Sequence, residues 1–316
     1  MPAQVGPLRA FLARGAPDAV VVDPMHYAAV IAAQLESIPW LCVASCLTSA
    51  LPEGMDSDVL RAIRRVEAPR ARLFSRYGFL PEFRAIDCLS PRLNVTFATR
   101  DLVGEPPAGV TLVGPSRPLS RRGDETPLRP LPQDKPVVYT SFGSQIFHYP
   151  EIFEKVLTAC RPLGVHCVFS MGDLADEPRW KRPLDGCSVY RYAPQLELLP
   201  RASAFITHGG ANSVMEALTA GTPMLVSPMC NDQDHQAHFA RQAGVALVED
   251  LRAAPIEAIR ARVASLLGDG PVRRRIEEVS RGYRQNGAPL AARLIAEAAA
   301  GAQRNRPISS GSPCIS

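Results

Sequence analysis

Apolar positions along the chain fall into two kinds of run. Short, nearly continuous stretches such as VVYTSF (137–142), HCVFSMG, CSVYRY, AFITH, PMLVSP and VALVED alternate with others in which apolar residues recur every three or four positions. PEIFEKVLTACRPLG (150–164), ANSVMEALTAG and DQDHQAHFARQAG are of the second kind. The first pattern predicts strands buried on both faces and the second amphipathic helices, and their alternation predicts βαβ units with a parallel sheet between helices. PIEAIRARVASLLGDG, VRRRIEEVSRGYRQNG and PLAARLIAEAAAG predict a helical end, followed from 304 by a polar tail read as disordered.

Near the start, PDAVVVDPMHYAAVIAAQLESIPWLCVAS (17–45) repeats the strand–helix–strand logic. The stretch GPSRPLSRRGDETPLRPLPQDKP (114–136) has no period and reads as an extended connection. The expected organisation is therefore α/β, with two Rossmann-like parallel-sheet domains over 1–115 and 136–303, a linker over 116–135 and a tail over 304–316. A doubly wound sheet needs more parallel strands than the first zone supplies, so the N-terminal domain is expected to be incomplete. Its open edge would invite a protein partner or self-association. The basic helical stretch within 51–85 is either a solvated face or a surface turned to lipid or to an acceptor.

Composition narrows the class. At 316 residues, 46% hydrophobic and 21% charged, the chain can bury the cores of two domains. A net charge of +4 without a lysine block or aromatic–basic interleaving argues against nucleic acid as a partner. Eight scattered cysteines without a C-x-x-C pair suit reduced thiols better than bridges or zinc. With neither a signal-peptide apolar core nor a run near the ~18 residues of a membrane span, a cytoplasmic location is expected.

The candidate chemistry lies in FITHGGANSVMEALTAGTPMLVSPMCNDQ (205–233). A strand entering a glycine-rich turn and then a helix aims free backbone N–H groups and a positive helix end at one spot, which suits a phosphate. Gly209 and Gly210 allow the close approach, Asn212 and Ser213 can donate to the same anion, and His208 ends the strand where open α/β sheets bind ligands. Local alternatives stand beside these readings: Ser213 and Glu216 fit a capping box, His208 a hydrogen-bonded strand end, and Asp232 a helix N-cap. A second glycine turn, TSFGS (140–144), offers Ser141, Gly143 and Ser144, and YAPQLELL (192–199) offers the flat ring of Tyr192 beside the amide of Gln195. Asp232 and Gln233 can each take two sugar hydroxyls. The D-x-D in DQDHQAH, with Asp234 and His238 at helical spacing, is weighed as a metal pair and set aside, so no metal is expected.

YAPQLELLPRASAFITHGGANSVMEALTAGTPMLVSPMCNDQ (192–233) resembles the donor-binding signature of UDP-dependent glycosyltransferases of the two-Rossmann-domain (GT-B) architecture, in particular bacterial macrolide and carotenoid glucosyltransferases. The resemblance implies that Tyr192 stacks on uracil with Gln195 beside it and that Glu216 binds the ribose. It further implies that His208, Gly210, Asn212, Ser213 and Ser144 hold the diphosphate, and that Asp232 and Gln233 hold the transferred sugar. Ala211 suits a bacterial-type enzyme. The implied reaction is inverting transfer from a UDP-sugar to a hydroxyl of a small lipophilic natural product, with no cofactor and with helix dipole and hydrogen bonds stabilising the departing diphosphate.

In that family a histidine near the N-terminus deprotonates the acceptor and an aspartate orients it. Asp23 in VVVDPMHY resembles the aspartate, although Asp-Pro after a strand also signals a helix start with Asp23 as cap. No histidine precedes Asp23 in this sequence. A late gene start, a degenerate paralogue or His26 as substitute base would each account for that, and weak or absent transfer by 1–316 is expected. The competing class is an inactive nucleotide-sugar-binding or auxiliary homologue. A nucleotide-sugar epimerase and a lipid-linked N-acetylglucosaminyltransferase are disfavoured by the YAPQ start and the Asp232–Gln233 end. Acceptor, sugar and the choice between UDP and dTDP stay open.

Overall fold

The computed structural model describes residues 2–117, 123, 125–144 and 148–304, so part of the linker and the tail beyond Arg304 lie outside it. The chain opens with α1 (Pro2–Gly15), β1 (Val20–Val22), α2 (Tyr27–Leu35) and β2 (Trp40–Ala44). Next come α3 (Asp58–Arg65), α4 (Glu67–Ser75), β3 (Glu82–Arg84), β4 (Asp87–Leu89), β5 (Asn94–Thr96), α5 (Arg100–Val103) and β6 (Thr111–Leu112). Strands β1, β2, β5 and β6 form a parallel sheet in that order, and β3 and β4 form a separate antiparallel hairpin. At the edge of the sheet Val21 is 48% exposed, and Phe11 on α1 is 65% exposed.

The second half contains β7 (Val137–Ser141), α6 (Pro150–Cys160), β8 (His166–Ser170), α7 (Pro178–Lys181), β9 (Cys187–Tyr190) and α8 (Gln195–Leu198). It continues through β10 (Ala204–Thr207), α9 (Ala211–Ala220), β11 (Met224–Val226), α10 (Gln233–Gln242), β12 (Ala246–Val248), α11 (Ile256–Leu267), α12 (Pro271–Tyr283) and α13 (Ala288–Arg304). Its six parallel strands run β12-β11-β10-β7-β8-β9. Every residue of β7 and β10 is buried, as expected of central strands covered on both faces. The chain winds from β7 towards β9 on one side and from β10 towards β12 on the other. The topological switch therefore falls between β7 and β10, and the crevice beyond their carboxyl ends is where such sheets hold ligands.

One core crosses both halves, joining Leu47, Leu60, Ile63 and Leu102 to Tyr139, Phe205, Val214 and Tyr283. Tyr139 and Phe205 stack at 4.9 Å between ring centroids across the paired strands β7 and β10. At roughly 1.5–3 kcal/mol for each fully buried large apolar side chain, such a shared core couples the stability of the two halves. The last helix, grouped by sequence with the C-terminal zone, crosses back: Leu290, Ala291 and Leu294 pack with Val95 and Val113 of the first half. Gly287 permits the crossing, since a Cβ there would sit 2.3 Å from the Val113 carbonyl oxygen.

Part of the basic stretch within 51–85 is engaged by its own neighbours. Asp56 pairs with Arg61 and Arg64, and Arg70 donates to the Ala85 carbonyl and lies over the Phe83 ring. The seven described cysteines are unpaired, and among the described residues no helix is long and apolar enough to cross a membrane.

Candidate active site

A cleft of about 810 Å³ opens between the two sheets at the carboxyl ends of β7 and β10. Ser141, Gly143 and Ser144 border it from the β7 turn, and His208, Gly210, Asn212 and Ser213 from the β10 turn and the start of α9. Tyr192, Gln195, Asp232 and Gln233 also line it. Of the residues expected to bind the donor, only Glu216 stands outside the cleft wall. It is 7% exposed and accepts a 2.5 Å hydrogen bond from Gln195 Nε2, while Gln195 Oε1 accepts one of 3.0 Å from the Tyr139 hydroxyl. Gln195 is thus held by two groups of the domain interior.

His208 is the densest point of the site. Burial pushes its pKa down to about 4, with the Ser141 backbone and the Asp232 charge pulling the other way. The imidazole is therefore neutral near pH 7 and meets a ligand as a dipole with one N–H donor. A Cβ on Gly143 would lie 2.9 Å from its Cε1, and one on Gly210 would lie 2.5 Å from its Nε2, so the ring is wedged between two glycines. Gly209 has φ +84° and its Cβ position falls 2.7 Å from a Val226 methyl, so both conformation and space exclude a side chain there.

The capping-box reading is corrected by the helix itself. The N-cap of α9 is Gly210, no side chain caps the helix, and Ser213 is its third residue. The first intrahelical bond runs from Val214 N to the Gly210 carbonyl at 3.0 Å, leaving the amides of Ala211, Asn212 and Ser213 at the open helix end beside His208. Asp232 does occupy the cap position of α10, but its side chain makes no capping bond. Gln233, 4% exposed, uses its carbonyl to accept from Met229 N at 2.8 Å and Cys230 N at 3.1 Å. It braces the loop before α10, which leaves its NH₂ as the donor it can offer.

The N-terminal wall is different in kind. Met25, Val59, Ile63 and Ile86 face the cleft with Ser45, Cys46 and Thr48 among them. Asp23 sits one layer behind: its carboxylate accepts from the Ser45 hydroxyl at 2.7 Å and from Met25 N at 2.9 Å. It reaches the cleft through Ser45 and caps no helix, because α2 begins at Tyr27 with His26 as its cap. His26 is exposed, its Nδ1 accepts from Ala29 N at 3.2 Å, and it does not line the cleft. That contact makes His26 the cap of α2.

Three features escaped the sequence reading. His235 lines the cleft and its Nε2 lies 3.1 Å from the Ser57 hydroxyl at the start of α3, tying the two halves together. Glu125 of the linker enters the cleft. Asp87, fully buried behind the N-terminal wall, makes no hydrogen bond of regular geometry, and burial together with the Asp23 charge pushes its pKa up to about 7 against the weak pull of the nearby Ser49 backbone. Ser57 has a helix-cap signature, yet nothing local announces its partner 178 residues away. Among the described residues no group of three or more potential metal ligands forms, so the Asp234–His238 pair has no third.

Comparison with known proteins gives this geometry a context. Residues 129–284 match the family described as UDP-glucoronosyl and UDP-glucosyl transferase. The chain is 29% identical over 293 residues to the NDP-glycosyltransferase YjiC of Bacillus licheniformis, covering 89% of this chain and 72% of that protein. It is 28% identical over 330 residues to the zeaxanthin glucosyltransferase of Pseudescherichia vulneris, covering 94% and 77%. Among solved structures, the glycotransferase of kitacinnamycin superposes with a TM-score of 0.77 at 26% identity, over 93% of this chain and 80% of that one. The segment 129–284 thus belongs to the UDP-glucoronosyl and UDP-glucosyl transferase family, and the fold around it is that of GT-B glycosyltransferases.

Proposed function

We propose that the chain transfers a sugar from a UDP-sugar to a hydroxyl of a small lipophilic natural product, with inversion at the anomeric carbon. The observation that carries this reading is the two-sided cleft. A polar wall built from the β7 and β10 turns and the α9 terminus faces an apolar wall of Met25, Val59, Ile63 and Ile86. Such a cleft takes a charged donor on one side and a lipophilic acceptor on the other.

In this reading Tyr192 stacks on the base, and the diphosphate meets the N–H of His208 and the first-turn amides of α9, with Asn212, Ser213 and Ser144 around it. As the anomeric C–O bond breaks, the electron pair moves onto the departing diphosphate. The open helix end and the neutral imidazole stabilise that charge in place. Asp232 and the Gln233 amide lie where the sugar would follow. On the opposite wall Ser45 donates its hydroxyl to the Asp23 carboxylate, so as the acceptor oxygen bonds to the anomeric carbon its proton passes to Ser45 Oγ while the Ser45 proton passes to Asp23, which ends the step protonated. Glu216, hydrogen-bonded by Gln195, is the carboxylate that takes the ribose hydroxyls.

Incubation of the purified chain with UDP-glucose and a panel of lipophilic phenols and alcohols tests this. UDP release matched by a glycoside of inverted anomeric configuration is expected. UDP binding without release above spontaneous hydrolysis would sink transfer and leave a binding protein.

A further inference from the structure

A second cavity, of about 340 Å³, adjoins the cleft at the start of α9. Ser45, Cys46, Ala211 and Asn212 border both spaces, but the rest of its lining is its own. Phe97 and Leu102 of the first half meet Val214, Met215 and Tyr283 of the second there, and none of the five lines the main cleft. Leu102, Val214 and Tyr283 belong to the core shared by the two halves, so the cavity is a gap in the joint between them. Its size lies at the lower end of the range for small-molecule sites, about 300–1,000 Å³. Ser116, which is exposed, marks its way out to solvent.

One polar group sets the chemistry. Gln236 on α10 lines this cavity and is 3% exposed. Its backbone N–H donates to the Asp232 carbonyl at 3.1 Å, but its side-chain amide has no hydrogen-bond partner among the described residues. An amide buried without partners is costly, and a ligand that brings both a donor and an acceptor relieves the cost. The Gln236 side chain offers one carbonyl acceptor and one NH₂ group, so a primary amide or a lactam meets it with two parallel hydrogen bonds. Among the described residues no charged side chain lines the cavity, so an anion such as a nucleotide would find no countercharge there. We infer that the cavity is a second ligand site, separate from those of sugar donor and acceptor, and that it takes a neutral, mainly apolar ring compound ending in an amide or lactam. Because such an occupant touches both halves, it stabilises their joint. The inference stands apart from the reading of the main cleft.

Calorimetric titration of 2-naphthamide, which has no hydroxyl to accept a sugar, into the wild-type chain and the Gln236→Leu, Met215→Trp and Val59→Trp variants tests it. A cooperative melt of each variant shows that it is folded. The probe should bind wild type saturably, with or without UDP present, and raise its thermal midpoint. Gln236→Leu should weaken binding by about tenfold, the scale of hydrogen bonds lost in a buried site. Met215→Trp fills the cavity and should abolish binding, whereas Val59→Trp narrows the main cleft and should leave it unchanged. Should Met215→Trp fail to fold, the contrast between Gln236→Leu and Val59→Trp still decides. Absence of saturable binding by wild type, or unchanged binding in Gln236→Leu, would overturn the inference. Displacement by UDP, or loss of binding in Val59→Trp, would also overturn it by placing the probe in the main cleft.

Discussion

Gly210 and His208 fit each other so closely that a single methyl group has no place between them: a Cβ on Gly210 would lie 2.5 Å from His208 Nε2. Gly210 has φ −62°, which any residue can adopt, so glycine is required there by the imidazole and not by the backbone. Gly143, on the other side of the ring, has φ +74° and answers to both demands.

Gly210→Ala should therefore displace His208 while leaving the fold in place. Loss of the His208 contact should weaken UDP binding by about tenfold or more. The thermal midpoint should fall by no more than overpacking of one methyl implies, about 1–3 kcal/mol. Calorimetry on the folded variant reads the first and a melting curve the second. Unchanged UDP affinity would show that His208 does not touch the donor.

The depressed pKa of His208 makes a pH prediction. The folded imidazole titrates at about 4 and its unfolded counterpart near 6.5, so between these values the unfolded chain binds more protons. Stability from this residue is fully present above pH 6.5 and is lost as pH falls towards 4, by about 3 kcal/mol in all. In His208→Phe that part of the acid-side slope should vanish. Urea melts of both proteins at pH 7 and pH 4.5 measure it, and parallel slopes would refute it.

The contact between Ser57 and His235 is the clearest polar tie between the two halves. Ser57 Oγ also accepts from Leu60 N at 3.1 Å, so it caps α3 as well as meeting His235. Ser57→Ala should cost about 1–2 kcal/mol, most of it the lost cap. A double-mutant cycle with His235→Ala isolates the rest, and a coupling near 1 kcal/mol is expected. A coupling of zero would mean that the halves do not meet at this point in solution.

What could be read in advance follows from how far its cause extends along the chain. The strand, turn and helix around His208 are written within ten residues, because strand burial, glycine turn and helix start are all local requirements. The pairing of Gln195 with Glu216 joins two residues singled out separately, and neither pattern announces that the amide would turn inward to the other. Glu125 lies in an aperiodic linker, where only three-dimensional placement beside Tyr192 distinguishes it from other acidic residues. The periodicity of α13 predicts its apolar face but not which domain that face covers; Gly287 decides it by clearing the Val113 carbonyl. His26 and Asp23 show the opposite case, in which a plausible local role passes to a neighbour. The helix starts three residues later than Asp-Pro suggests, and the aspartate is freed to meet Ser45.

Asp87 should be a place where the protein gives up stability. Its carboxyl is fully buried with no more than a weak approach from the Ser49 backbone, and burial with the nearby Asp23 charge raises its pKa to about 7 from an ordinary value of 3.8. Between those two values the folded chain holds a proton that the unfolded chain releases, so stability falls as pH rises through the window and stays low above it. Asn is nearly isosteric and neutral at every pH, so Asp87→Asn should stabilise the protein by a few kcal/mol at pH 8 and by little at pH 4. Thermal melts of wild type and variant across that range measure the difference. A uniform destabilisation would show that the carboxylate has ionic or donor partners in solution.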